Sequence, residues 1–531
     1  MFVWLNVWIN VFAYIIDIMG LTARNRPSRP DKKNKSTRRK RDPPVPDAEI
    51  IQYDDPSPEI PTHPALTGGD EVVSYIGGGP DVGGKVVDSG GYGCIFKPAL
   101  RCENKKREPN KISKLMTLRH SRKEYEIISK YKVEIEKIPN YKQYFLLDGI
   151  DICSPNKLTN QDLVNYKEKC TLFQKNDINK KNINDNLQHL LVLNMPDGGI
   201  DIGDFIYSQP PSEEIVATNN ALIDLLHYGI LPMNKLHIYH CDVKESNVLI
   251  VPTKGKKGEP SFKTRLIDWG LAVKYDPTVE KKIPSSLFGV PFQYNLPFSN
   301  VLFNDTLEEM YAKMLMESPS PRYETVYNFV QDYIISWMEQ RGPGHFKTIS
   351  QILVQLGTEP SDFLEKRKKH AQKEENVDLA DRVDKEKPTD SDMSCFIVLT
   401  EYITGVLVKY TINGKLMLLS YFNEVFIHNA DIWGFLMIYS TMLEMYYNVL
   451  ISGKELTKNQ MDVYEKLREI IVHHLFQNVI TRIDTQLLMK DLKELSNICH
   501  SCSTVKSSGA KRHHIKYKSI FDNLSEDAYD N

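Results

Sequence analysis

Short apolar runs recur along this chain with polar residues at their ends, and their spacing predicts strands and helices in a definite order. Val86-Val87 and Cys94-Ile95-Phe96 flank the glycine-rich stretch Ser89-Gly90-Gly91-Tyr92-Gly93 and read as the two strands of a hairpin. Lys111-Ile112-Ser113-Lys114-Leu115-Met116 reads as the next strand. A helix is expected over roughly Ser121 to Lys132, where Glu124 shares a face with Ile127 and Ile128. Leu190-Leu191-Val192-Leu193-Asn194 reads as a buried strand that runs into the turn signal Pro196-Asp197-Gly198-Gly199. Further on, Tyr323 to Gln340 has helical periodicity, and Phe396-Ile397-Val398-Leu399 resumes the fold. Phe435-Leu436-Met437-Ile438-Tyr439 reads as a nearly all-apolar, hence buried, helix, and helices are expected from Gly434 to Leu495.

Two apolar settings carry concentrated polar chemistry. His240-Cys241-Asp242-Val243-Lys244-Glu245-Ser246-Asn247 lies between Ile238 and Val248-Leu249-Ile250, and Asp268-Trp269-Gly270 follows Leu266-Ile267. Such flanks predict polar tips held on buried strands and tight loops. Asp242 can accept a proton from an attacking hydroxyl, and Lys244 can lie beside a transferring phosphoryl group. Asn247 and Asp268 offer the hard oxygen ligands that magnesium prefers. Phosphoryl transfer asks the protein mainly for in-line positioning and neutralisation of oxygen charge.

These two segments resemble the H-R-D-L-x-x-x-N and D-F-G signatures of the protein-kinase superfamily, with Cys241 in place of Arg and Trp269 in place of Phe. The resemblance implies an α+β, two-lobed fold: a small antiparallel sheet with one helix, hinged to a larger, mainly helical lobe. It further implies ATP and Mg2+ as cofactors, bound in the cleft, and a protein substrate. Gly90, Gly93 and Ile95 match the glycine-rich loop G-x-G-x-x-G-x-V, with Asp88 where the first glycine would stand; Gly90, Gly91 and Gly93 would let backbone amides approach phosphates. Lys114 resembles the lysine of V-A-I-K, with Lys97 as runner-up. Glu124 is its expected ion-pair partner, and Glu126 the alternative. Leu193 and Asn194 would lie at the hinge, against the nucleotide. Asp431-Ile432-Trp433-Gly434 resembles the D-x-W at the start of the large lobe's central helix, where Asp431 would cap that helix and brace the catalytic loop. Phe288 to Phe298 matches the peptide-binding part of the activation segment; Pro297 can be matched to the proline of A-P-E, but no glutamate follows it. Lys244 resembles serine/threonine rather than tyrosine kinases. The Gly-Gly-Tyr-Gly-Cys-Ile-Phe-Lys-Pro-Ala-Leu run, the Ser-Lys-Leu strand and Asp-Trp-Gly are similar to serine/threonine kinases of large cytoplasmic DNA viruses. Cys241 cannot pair with a phosphorylated activation loop as arginine would, so activity without that phosphorylation is expected. The alternatives are a pseudokinase that binds nucleotide or a partner, and a kinase-like enzyme acting on a small molecule or lipid.

At 531 residues the chain has room for tails and insertions around one such domain. Its 67 Lys+Arg against 69 Asp+Glu argue against a general nucleic-acid-binding character. The apolar segment 1–19 is broken by Asn6, Asn10 and Asp17, and is followed by basic residues. It reads either as a marginal membrane anchor, with the kinase on the cytoplasmic side, or as a stretch upstream of a start at Met19. Residues 20–84 read as a basic, Pro/Gly-rich disordered linker, 85–193 as the small lobe, 194–500 as the large lobe and 501–531 as a loose tail. Insertions are expected at about 156–186, on the surface, and at about 300–395, with a charged linker from Glu359 to Asp392. Eight scattered cysteines suggest a reducing compartment, and the pair Cys499/Cys502 reads as thiols in a loop rather than a metal site.

Overall fold

The computed structural model describes residues 84–90, 93–255, 259–357, 391–476 and 480–504. The apolar segment 1–19, nearly all of the linker 20–84, Gly91, most of the charged linker and residues 505–531 lie outside the described residues. The architecture is mixed: a small antiparallel sheet with one long helix, and a helix-rich remainder. Among the described residues no helix is long and apolar enough to cross a membrane.

Five antiparallel strands, β1 (Lys85–Gly90), β2 (Gly93–Lys97), β3 (Lys111–Thr117), β4 (Asp151–Cys153) and β5 (Leu190–Pro196), are ordered β1-β2-β3-β5-β4. Helix α1 (Leu118–Ile135) follows β3 directly, with Thr117 as its N-cap. Glu124, Ile128, Tyr131 and Ile135 recur at helical spacing and form its buried face, which covers one side of the sheet. Glu126 is exposed.

The other side of the sheet is covered too. The segment expected as a surface insertion instead supplies a second hydrophobic core: Leu158, Leu163, Tyr166, Phe173 and Ile183 pack with Val86, Phe96 and Leu115 of the sheet. Its few apolar residues are spread among Asn and Lys over short helical turns, so no periodicity announced their burial. Asp162 ties this cover to the sheet, accepting from the Gly84 amide at 2.9 Å and pairing with Arg107 at 3.0 Å. Disulfide Cys94–Cys170 fastens it further, while Cys102–Cys153 joins the loop after β2 to β4. The expectation of unpaired, reduced thiols therefore fails for four of the eight cysteines. Partners 76 and 51 residues apart leave no mark in local spacing.

In the helix-rich part, β6 (Ile200–Asp201), β8 (Val248–Lys254) and β9 (Pro260–Leu266) form a small sheet, and β7 (Ile238–Tyr239) pairs with β10 (Val273–Lys274). Helices α2 (Ser212–Asp224), α3 (Asp305–Glu317), α4 (Tyr323–Arg341), α5 (Phe346–Gln355), α6 (Ser391–Lys409), α7 (Ile427–Ile438), α8 (Lys458–Ile471) and α9 (Thr485–Thr504) surround one continuous core. The insertion expected at about 300–395 is thus no appendage: Val326, Val330, Ile334 and Trp337 of α4 belong to that core. Cys499 is buried within α9, not in a loop. Among the described residues no group of three or more His, Cys, Asp or Glu could hold a metal.

Candidate active site

Strand pairing places the first group of side chains. Lys114 of β3 lies opposite Ile95 of β2 and Leu193 of β5, and directly opposed residues in a sheet point to one face. The three therefore form a row on the side that carries α1. From α1, Glu124 meets the Lys114 ammonium with both carboxylate oxygens at 2.9 Å. Both side chains are buried. Burial pushes the Glu124 carboxyl up, against the pull of the Lys114 charge, and the nearby Asp268 carboxylate adds to the rise.

Asn194 departs from the expected arrangement. It pairs with Ser113, so its side chain lies on the opposite face, where it accepts from Ser113 Oγ at 2.6 Å and donates to Cys102 Sγ at 3.2 Å. The Asn194 side chain belongs to the surroundings of the Cys102–Cys153 disulfide. Gly93 also has a different local reason from the one expected: a Cβ there would overlap the Leu115 carbonyl oxygen, so glycine lets β2 lie close to β3. Gly90 pairs with Gly93 at the end of the hairpin. Asp88 follows a register irregularity in β1 and turns its carboxylate onto the Ser89 amide at 2.7 Å.

Two strand pairings assemble the second group. Val248 of β8 pairs with Leu266 of β9, which sets Asn247 beside Ile267 and brings Asp268 close in turn. Tyr239 pairs with Val273, which sets the loop after β7 against the segment before β10. The loop's shape is imposed from below by Asp431, whose carboxylate accepts from the His240 amide at 2.9 Å, the Cys241 amide at 2.7 Å and Asn234 Nδ2 at 2.7 Å. Asp431 lies midway along α7 and is not its N-cap, because the helix has already begun at Ile427. Those bonds hold Cys241 in the left-handed region at φ 59°; Asp268 lies there too, at φ 61°.

Asp242 is surrounded by donors. Asn247 Nδ2 reaches Oδ2 at 2.8 Å, Asn295 Nδ2 reaches Oδ1 at 2.8 Å, and Lys244 Nζ lies 3.3 Å from Oδ1. Burial opposes the charge of Lys244, but Asp242, Asp268 and Glu245 outweigh it and raise its pKa. The Lys114 ammonium holds Asp268 below the usual carboxylate range in spite of burial, with help from Lys244 and His240. Lys114, Glu124, Asp242, Lys244, Asn247 and Asp268 are thus within electrostatic or hydrogen-bonding reach of one another, although 154 residues separate the first from the last.

The side-chain oxygens of Asn247 and Asp268 could hold a magnesium ion. Asp268 keeps a lowered pKa because cations offset the desolvation by the protein around it, and its side chain still opens to solvent; Asn247 commits its Nδ2 to Asp242, and among the described residues its Oδ1 accepts no hydrogen bond. Two protein oxygens suit Mg2+, which keeps waters and takes further oxygens from phosphate. Trp269 anchors the site to its surroundings: its ring lies 5.0 Å from that of His240 and 6.2 Å from that of Tyr131 on α1. Tyr131 also donates to the Ala272 carbonyl at 2.9 Å, so α1 and the Glu124 it carries are tied to the Asp268 segment.

Sequence reasoning missed Asn295, Tyr294 and Glu245. Tyr294 donates to both Glu245 oxygens, at 2.7 and 2.9 Å, and its carbonyl accepts from Trp433 Nε1 at 2.9 Å. Only the proximity of Tyr294 and Asn295 to Pro297, in the segment matched to the substrate-binding region, offered a signal.

No protein-family profile matches the chain, and no curated protein does. Among solved structures, the crystal structure of a Plasmodium kinase domain aligns at 14% identity over 49% of this chain and 78% of that one, with a TM-score of 0.24. A likeness of that degree carries no argument for fold or function.

Proposed function

We propose that this chain is an ATP-dependent protein kinase of the two-lobed type, transferring the γ-phosphate to serine or threonine. The observation that supports this most is the convergence of Lys114, Glu124, Asp242, Lys244, Asn247 and Asp268. Lys114, oriented by Glu124, binds nucleotide phosphates, with Ile95 and Leu193 beside it for the base. Asn247 and Asp268 would hold magnesium, which when bound neutralises phosphate oxygen charge. Asp242, oriented by two amide donors, accepts the proton of the acceptor hydroxyl. Lys244 neutralises charge on the phosphoryl group in transit. Cys241 is buried and its thiol is pushed well up, so it stays neutral and offers nothing to a phosphorylated loop. Activity therefore does not require that phosphorylation.

The test is labelled ATP, magnesium and generic protein acceptors, with wild type compared with Asp268→Ala. Label on the acceptor with wild type only is the expected result; equal labelling by both proteins would rule out Asp268 as a metal ligand. The second reading, a nucleotide-binding pseudokinase, draws on Asp88, an acidic residue where the phosphate loop would have glycine. Nucleotide binding by wild type without transfer to any acceptor would favour it.

A further inference from the structure

Segment 288–298 has neither an arginine before Asp242 nor a glutamate after Pro297 to order it. It is nevertheless held firmly, and much of the hold comes from the turn between α4 and α5. The His345 amide donates to the Phe292 carbonyl at 2.8 Å, and the His345 ring lies 5.3 Å from that of Tyr294. Gly344, at φ 54°, approaches so closely that a Cβ would overlap the Phe292 carbonyl oxygen. From there the contacts run inward: Tyr294 to Glu245 and Trp433, then Asn295 to Asp242. The turn itself is rigidly mounted, since Trp337 and Met338 before it and Phe346 and Ile349 after it are buried in the main core.

We infer that this turn is a built-in clamp on the acceptor-binding segment, with Gly344 and His345 as positioning residues that keep Asn295 on Asp242. It does by packing what a phosphate on this segment would otherwise have to do, so the segment is set to receive an acceptor hydroxyl at all times. The inference rests on the phosphotransferase reading above.

The experiment uses the full chain as wild type, Gly344→Ala, His345→Ala and Gly342→Ala. Gly342 is the matched control: it too has positive φ, at 80°, but a Cβ there would meet nothing within 4 Å. Three quantities are read: amide hydrogen exchange across 288–298 and across 84–117, ATP affinity, and transfer to a serine/threonine peptide library. Gly344→Ala is expected to speed exchange across 288–298, lower kcat and raise the acceptor KM by about tenfold or more, with ATP affinity and exchange across 84–117 unchanged. His345→Ala, which keeps the amide and loses the ring, should show a smaller loss of the same kind and serves alone if Gly344→Ala does not fold. Gly342→Ala shares the backbone strain but not the overlap, so it should loosen 288–298 much less than Gly344→Ala and leave ATP affinity and exchange across 84–117 unchanged. Wild-type exchange across 288–298 in both Gly344→Ala and His345→Ala, or equal loosening of both regions, would overturn the clamp. If wild type transfers no phosphate while these variants still loosen 288–298 selectively, the clamp stands and the kinase reading fails.

Discussion

Asn295 and Asp242, fifty-three residues apart, are joined by a 2.8 Å hydrogen bond in which the amide holds one oxygen of the proposed base. The other oxygen is held by Asn247, so the carboxylate plane is fixed from two sides. Asn295 is almost wholly buried, and among the described residues its own Oδ1 has no hydrogen-bond partner. Replacing it by alanine removes one useful donor and one unsatisfied acceptor together. Asn295→Ala is therefore expected to lower kcat by about 10²-fold, the low end of what a placed general base supplies, with little change in melting temperature. Steady-state kinetics beside thermal unfolding check this; an unchanged kcat would contradict it.

The Lys114–Glu124 pair is buried on both sides, so losing one partner leaves an uncompensated charge in the core. Lys114→Met should cost about 3–5 kcal/mol of stability. The double variant Lys114→Met/Glu124→Leu should recover most of that while remaining inactive. Denaturant midpoints for the single and double variants decide; equal losses in both would show that the charge is not the cause.

Asp201 caps the short helix Ile202–Tyr207, accepting from the Asp204 amide at 2.8 Å, and burial lifts its pKa from 3.8 to about 6. Between those values the folded state binds more protons than the unfolded one, so stability falls as pH rises through this window. Asn caps a helix equally well without a charge. Asp201→Asn should therefore stabilise the protein by about 1 kcal/mol above pH 6, after screening of a partly exposed group. The gain should fade as pH falls towards 4. Urea unfolding at pH 7.5 and 4.5 tests the sign; a larger gain at the lower pH would refute it.

Cys94–Cys170 closes a span of 76 residues and fastens the outer cover to the strand next to the glycine-rich turn. Cys170→Ser should lower stability by about 2–4 kcal/mol. Dithiothreitol should shift the melting temperature of the wild type downward too, and more than it shifts the variant. Insensitivity of the wild type to the reductant would argue that the bond does not form.

What could be read from the letters was local. Asp242, Lys244 and Asn247 lie within six residues on one tight loop, and Asp268 follows a strand that pairs back to Val248, so apolar flanks alone marked both. Glu124 was legible because helical periodicity put it on the buried face. Parity along a strand sends the side chains of Leu193 and Asn194 opposite ways, with Leu193 on the side of Lys114, so the letters alone did not show where the Asn194 side chain goes. The outer cover, the two disulfides and the Gly344–Phe292 approach depend on contacts between distant segments. Sparse Leu, Tyr and Phe among asparagines give no period from which such packing can be read.

Asp431 grips the loop from the middle of a helix that is buried along nearly its whole length. The shape of the loop from His240 to Asn247 is therefore inherited from a deeply buried scaffold, beyond the influence of surface substitutions. Such a loop does not fray ahead of the rest. Its geometry and the global fold should be lost in one cooperative step, and heating should abolish activity and tertiary structure at the same temperature.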